Sequence, residues 1–317
     1  MSFTIRLSTL LLLAAVAWPA AATLPADSVI ASLQSPAWIE RNGEREALEP
    51  GVLLQAGDVL RTGPGGRIQA ELSEGSLLKL GEEASLATEE LVQPVVRAAA
   101  TPAVSEAESG KAVDSEQPAG IFQATLNVLK GAFRFTTQLV GKQQKRSVDV
   151  RFGAVTAGIR GTDIWGKSGP DRHFVVLLEG SIEVTAPGAA DPIRLESPLQ
   201  GVSLTAGASA AETLTFDLPT VQQLAPETEL QPGSGVQSRD GRWYVQLASL
   251  QQSSDAEQLR AALAQAGYPA DVLPVDLDGR RYHRVGLGRL LSAADARAVG
   301  EQLTGRFGIE GFWVLRR

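Results

Sequence analysis

The last 76 residues most constrain the fold, because they carry the chain's only regular alternation of strand and helix patterns. Arg242–Leu250 (RWYVQLASL) reads as a strand. A helix pattern follows from Ser254 to about Ala266, with Ser253 or Ser254 as its cap, Leu259 and Leu263 on one face, and Gly267 as its stop. Ala270–Leu277 and Arg280–Leu287 are strands joined by the hairpin pair Asp278-Gly279. Ser292-x-x-Asp295 opens a second helix with Ala296, Val299 and Leu303 as its apolar stripe, and Ile309–Arg316 is a last strand after Gly308. This βαββαβ order is of the RNP or ferredoxin-like type: α+β, one antiparallel sheet with both helices on one face. Pro274 falls in the second strand, which this arrangement puts at an edge where a missing backbone donor is tolerated.

Strand alternation sorts the side chains of that sheet. Val245, Leu247, Val285 and Leu287 share the parity of the helix side, as do Phe312, Val314 and His283. Tyr244, Gln246, Tyr282, Arg284 and Trp313 then share the open face. Rings, an amide and a guanidinium together suit a polar ligand with flat apolar faces, either a carbohydrate or a single-stranded nucleic acid. Ser249 has the wrong parity under strict alternation and reaches the open face only if the strand bulges near Ala248.

The front of the chain reads differently. Arg6 precedes an apolar run over Leu7–Trp18, and Pro19-Ala20-Ala21-Ala22 ends it with small residues, the pattern of a secretory signal cleaved after residue 22. The run is short for a membrane span, so no span is expected in the mature chain. From residue 28 to 216 short strand patterns alternate with Gly, Pro and Asn turns, including Asn42-Gly43 and Gly63-Pro64-Gly65-Gly66, which predicts an all-β domain. Leu72-Ser73-Glu74-Gly75-Ser76-Leu77 is echoed by Leu178-Glu179-Gly180-Ser181-Ile182. Residues 89–120 lose periodicity and aromatics and read as a flexible insertion. Residues 217–240, with Pro219, Pro226, Pro232 and Gly233-Ser234-Gly235, read as an interdomain linker to a module spanning 241–317.

Two family resemblances attach to these residues. Val245-Gln246-Leu247-Ala248-Ser249-Leu250, the helix, and Tyr282-His283-Arg284-Val285-Gly286-Leu287-Gly288 resemble a SPOR domain over residues 241–317. SPOR domains bind peptidoglycan glycan strands that lack stem peptides, as found at division septa. The resemblance implies glycan-binding roles for Gln246, Ser249, Tyr282, Arg284 and Trp313; Leu250 stands where the family often has Phe. Ala56-Gly57-Asp58-Val59-Leu60, the Glu-Gly-Ser hairpins and Arg160-Gly161-Thr162-Asp163 followed by a Leu178–Val184 hairpin resemble a FecR-type domain over residues 28–216. FecR regulators of iron signalling carry a cytoplasmic anti-sigma segment and a membrane span, and this chain has a signal sequence in their place. The resemblance therefore extends to the β domain and not to the signalling role.

Composition narrows the functions further. With no cysteine, disulfides, thiol catalysis and cysteine metal sites are excluded. Net charge is −7, and residues 240–317 hold 10 Arg against 9 acidic residues, a near-neutral module behind an acidic front. That balance counts against nucleic acid, although an RRM-like module is the alternative that shares the topology. Gly286-x-Gly288 lacks the third glycine of a dinucleotide site, and H-E-x-x-H, G-x-S-x-G and P-loop patterns are absent. The expectation is a non-catalytic periplasmic protein, without cofactor or metal, that binds septal peptidoglycan and meets other envelope or divisome proteins through its β domain. An envelope glycan hydrolase is a further alternative.

Overall fold

The computed structural model describes residues 27–92, 122–137, 146–159 and 161–317. The expected signal sequence at 1–22, residues 93–120 of the expected insertion, and Arg160 lie outside them.

Up to residue 216 the described chain is β-structure. The strands are β1 (Val29–Gln34), β2 (Ala37–Arg41), β3 (Glu44–Ala47), β4 (Val59–Thr62), β5 (Arg67–Glu71), β6 (Leu77–Leu80), β7 (Ser85–Val92) and β8 (Phe122–Thr136). They continue as β9 (Arg146–Phe152), β10 (Val155–Ile159), β11 (Asp163–Ser168), β12 (Arg172–Glu179), β13 (Ile182–Thr185), β14 (Ile193–Leu195), β15 (Gln200–Thr205) and β16 (Glu212–Thr215). Their local causes are plain in the sequence. In β10 the alternate residues Val155, Ala157 and Ile159 are buried while Thr156 and Gly158 are not, the period of a half-buried strand. Asn42 and Gly43 both take positive φ, 54° and 83°, as the tight β2–β3 hairpin requires.

Two sheets share β8. Its first half pairs with β7 and, in parallel, with β9, in the sheet ordered β3-β2-β4-β7-β8-β9-β10-β13-β14. Its second half pairs with β6 and β11 in the sheet ordered β1-β5-β6-β8-β11-β12-β15-β16. Gly131 marks the change: its φ is 90°, and a Cβ there would sit 2.5 Å from Ala84. Leu33, Ile39, Leu60, Leu78, Phe133, Phe135, Val150, Phe152, Ile164 and Val202 from both sheets close one apolar core.

Three expectations are corrected here. The insertion does not begin at residue 89, because β7 runs to Val92, held in register by Gln123. The second Glu-Gly-Ser turn is not a hairpin: β5 and β6 pair across the first, but β12 and β13 on either side of the second belong to different sheets. Asp163 is held by Arg134 of β8 at 2.6 Å. The third concerns residues 217–240, which are not a linker. Asp217 accepts from the Thr220 amide at 2.8 Å and caps α1 (Leu218–Leu224), and a 3-10 turn follows at Ala225–Glu227. Proline is tolerated in a first helical turn, so Pro219 and Pro226 open helical turns and do not break structure. Val221 packs with Trp165, Val176 and Ala132, Phe216 stacks on Phe174 with ring centroids 5.5 Å apart, and Arg134 reaches Glu229 at 2.8 Å.

The chain then forms β17 (Val236–Ser238), which joins the two halves of the molecule. It pairs with β1 over Val236–Ser238 and meets Leu290 of β20 through Gln237. The C-terminal elements are β18 (Trp243–Leu250), α2 (Ser253–Gln265), β19 (Asp271–Leu277), β20 (Arg280–Leu290), α3 (Ala293–Leu303) and β21 (Trp313–Arg316). All pairings are antiparallel, in the order β19-β20-β18-β21, with Pro274 on the edge strand. Both helices pack into one core with the sheet: Ala256 and Leu263 of α2, Ala296, Val299 and Leu303 of α3, against Val245, Leu247, Val285 and Leu287. The N-cap of α2 is Gln252 and makes no side-chain bond, so neither serine caps it as expected; Ser292 does cap α3, accepting from the Asp295 amide.

Side chains reinforce this junction, so the module is docked on the β domain and not tethered to it. Trp38 Nε1 donates to the Gln265 carbonyl and the Ala37 amide to the Gly267 carbonyl, both at 3.1 Å. Gln237 donates to the Gly288 carbonyl at 2.9 Å and Arg289 Nη1 to the Pro50 carbonyl at 2.7 Å. Asp295, fully buried, accepts from the amides of Gly233, Gly235 and Val236 at 2.7, 3.1 and 2.9 Å and from the Ser292 hydroxyl at 2.5 Å. One carboxylate thereby fixes the β17 approach to the start of α3.

Candidate functional site

The face of the C-terminal sheet turned away from α2 and α3 collects the sequence-predicted residues. Its geometry depends on an irregularity in β18. Gln246 is opposite Gly286, but Ala248 is opposite Val285, so two residues of β18 face one of β20. This is a β-bulge, and it puts both Leu247 and Ala248 against the helix-side core. Parity reverses beyond it. Ser249 comes opposite Arg284 and is exposed, and Leu250 packs on the core. The bulge that Ser249 requires is therefore present, and Ser249 shares the face of Gln246.

Trp313 of β21 lies opposite Gln246 and is 63% exposed. Arg284 is half-buried, opposite Leu273 of β19, and its Nε is buried without a hydrogen-bond partner. Tyr282 lies opposite Val275 and is half-buried, with its hydroxyl 3.5 Å from the Gln251 amide nitrogen. Gln246, Ser249, Tyr282, Arg284 and Trp313 thus occupy one face across three strands. Gln246 is only 8% exposed, so the amide lies within the face more than above it.

Tyr244 departs from expectation. It has the open-face parity, but it is only 1% exposed. Its ring lies along β20 over two glycines. A Cβ at Gly286 would sit 2.5 Å from the Tyr244 Oη, and one at Gly288 would sit 3.5 Å from Cδ2. The Arg317 guanidinium covers the other side, 3.8 Å from the ring centroid. Burial pushes the phenol up to about 12, against the opposing pull of Arg317. Gly286-x-Gly288 therefore has a structural cause: it is the trough in which Tyr244 lies.

Sequence reading missed several other members of the face. Leu273 and Val275 alternate onto it, and Leu277 and Leu315 are 42% and 40% exposed there. Asp271 stands opposite Gly286. Arg281 is tied to Asp276 at 3.0 Å on the exposed edge, an ion pair of small consequence. His283 lies between Leu250 and Pro274 in register, on the helix side and half-buried. Among the described residues no group of three or more His, Asp or Glu could hold a metal ion, and no helix is long and apolar enough to cross a membrane.

Two family models match separate parts of the chain. Residues 240–314 match the model of the SPOR domain, and residues 58–183 match that of the FecR protein. No curated protein matches the chain. Two solved structures of a candidate anti-sigma factor from Parabacteroides distasonis ATCC 8503 are similar to it, at 12% and 10% identity with TM-scores of 0.36 and 0.34. Each similarity covers 70% of this chain and 96% of the other. The chain thus joins a FecR-type domain to a C-terminal SPOR domain.

Proposed function

We propose that this is a non-catalytic protein of the cell envelope whose SPOR domain binds peptidoglycan, with glycan strands free of stem peptides as the ligand and the division septum as the place of enrichment. One observation carries the reading: the bulge in β18 brings Ser249 onto the same open face as Gln246, Tyr282, Arg284 and Trp313. Removal of a stem peptide leaves a free lactyl carboxylate on muramic acid, and Arg284, with no carboxylate at ion-pairing distance among the described residues, is the natural partner for it. Trp313 offers an exposed ring for a sugar face. Covering roughly 100 Å² of apolar ring surface yields only about 2–3 kcal/mol. Association costs more than that, so single-site binding is weak and retention comes from many neighbouring sites along the glycan.

In this reading the C-terminal domain is the βαββαβ module of ferredoxin-like type, and the FecR-type domain is a scaffold for other envelope or divisome proteins. Secretion by a cleaved signal sequence places the protein in the periplasm. Docking through β17 gives the glycan face a fixed orientation on that scaffold. The nucleic-acid alternative is weakened by the near-neutral charge of the module, 10 Arg against 9 acidic residues over 240–317. The test is co-sedimentation of the purified protein with amidase-treated sacculi. Wild type is expected in the pellet, with Arg284→Ala and Trp313→Ala left in the supernatant. Variants that pellet as well as wild type would remove the proposed face from binding.

A further inference from the structure

Tyr244 lies in the middle of the open face, and its position has a consequence for what the face selects. Its hydroxyl is buried, has no hydrogen-bond partner, and lies over Gly286. Residue 284 is the next position on that face along β20, and the Arg284 Nε is likewise buried without a partner. The Arg317 guanidinium lies on the ring from above, and residue 317 itself is exposed. Asp271, opposite Gly286, is the nearby carboxylate, and it is not within ion-pairing distance of either arginine. An orphaned phenol, the guanidinium on its ring and the arginine one position further along the same face of β20 are thus neighbours on the sheet. All three are hydrogen-bond donors there, and none has an acceptor. A site made only of donors, two of them cationic, calls for an anionic acceptor of about carboxylate size.

We propose that Tyr244, Arg284 and Arg317 form a carboxylate site in which Arg317 is a displaceable cover. An arriving carboxylate draws the Arg317 guanidinium off the ring and accepts hydrogen bonds from the Tyr244 hydroxyl and from the guanidinium N–H groups of Arg284 and Arg317. This rests on the reading of the face as a glycan site. It assigns the ligand group as the free lactyl carboxylate of muramic acid and makes this spot the source of preference for stripped glycan. When a stem peptide is attached, that carboxylate is consumed in a neutral amide, which brings no charge to either arginine.

The test uses the full chain and three ligands in co-sedimentation: stripped sacculi, stripped sacculi with their carboxylates methyl-esterified, and untreated sacculi. Wild type is expected to bind the esterified material about tenfold more weakly than the stripped material. Tyr244→Phe, which keeps the ring and the Arg317 contact, is expected to bind stripped sacculi about fivefold more weakly than wild type. It should match wild type on esterified sacculi and unfold at the same or higher denaturant concentration, because the lost hydroxyl had no partner. Arg317→Ala should show the same ligand-dependent loss. Wild-type binding that ignores esterification, or variants that bind stripped sacculi as tightly as wild type, would overturn the carboxylate site while leaving the glycan reading in place. Failure of wild type to bind stripped sacculi at all would overturn both.

Discussion

Ser249 stands directly opposite Arg284 in the register of β18 and β20, on the face turned away from the helices, because Leu247 and Ala248 both pack on the helix side. The pair places a hydroxyl beside a guanidinium, so one ligand group can engage both. Ser249→Ala removes one hydrogen bond and is expected to weaken glycan binding about fivefold. Arg284→Ala removes a charge-assisted contact and is expected to cost tenfold or more. Pelleting titrations on stripped sacculi measure both. A Ser249→Ala protein with unchanged affinity would mean that the bulge has no part in recognition.

Asp295 is expected to matter for stability and not for binding. It satisfies three backbone amides and the Ser292 hydroxyl in a fully buried position. Asp295→Ala leaves those donors unmatched, at a cost of about 3–5 kcal/mol. Denaturant unfolding should show the loss, while pelleting at low temperature, where the variant is still folded, should stay near the wild-type level.

The junction through β17 makes the two halves unfold together. Trp38 lies over Gly267, where a Cβ would come within 2.7 Å of its ring, and its Nε1 bonds to the Gln265 carbonyl. Calorimetry of the wild type is expected to give one transition. Trp38→Ala removes a large apolar contact worth about 3 kcal/mol and is expected to separate that transition into two. Two transitions in the wild type would mean that the junction does not couple the halves.

Tyr244 gives the alkaline limb a signature. Its folded phenol is pushed up to about 12 from 10 in the unfolded chain, so the folded state holds a proton that the unfolded state releases. The associated stability is fully present below pH 10 and is lost as pH rises from about 10 to about 12. The two-unit shift corresponds to about 2–3 kcal/mol. Burial also raises Tyr268, so late tyrosinate absorbance should be reduced and not abolished in Tyr244→Phe, whose stability should fall less steeply over that window.

Much of the C-terminal module was legible in the sequence, since Val245, Val285 and Leu287 alternate cleanly and Asp278-Gly279 marks its hairpin. The site was legible only in part, for physical reasons. Alternation assigns Tyr244 to a face but cannot say that Arg317, 73 positions away, covers it. The bulge leaves no sequence mark, because Leu247-Ala248 packs as well with both residues inward as with one. Residues 217–240 looked like a linker because prolines that open helical turns resemble those that break structure. β17 is three residues long, too short to show a period, and its pairing is fixed by partners some 200 and 50 residues distant. In the β domain the Glu-Gly-Ser turns were visible, but a turn does not reveal whether the chain returns to the same sheet.

The most direct measurement is wild-type binding to sacculi before and after an amidase removes the stem peptides. Binding that rises at least severalfold after amidase treatment, and falls again when the lactyl carboxylates are esterified, is the expected result. Equal binding to treated and untreated sacculi, or none to either, would contradict the assignment of the Gln246–Ser249–Tyr282–Arg284–Trp313 face to stripped glycan.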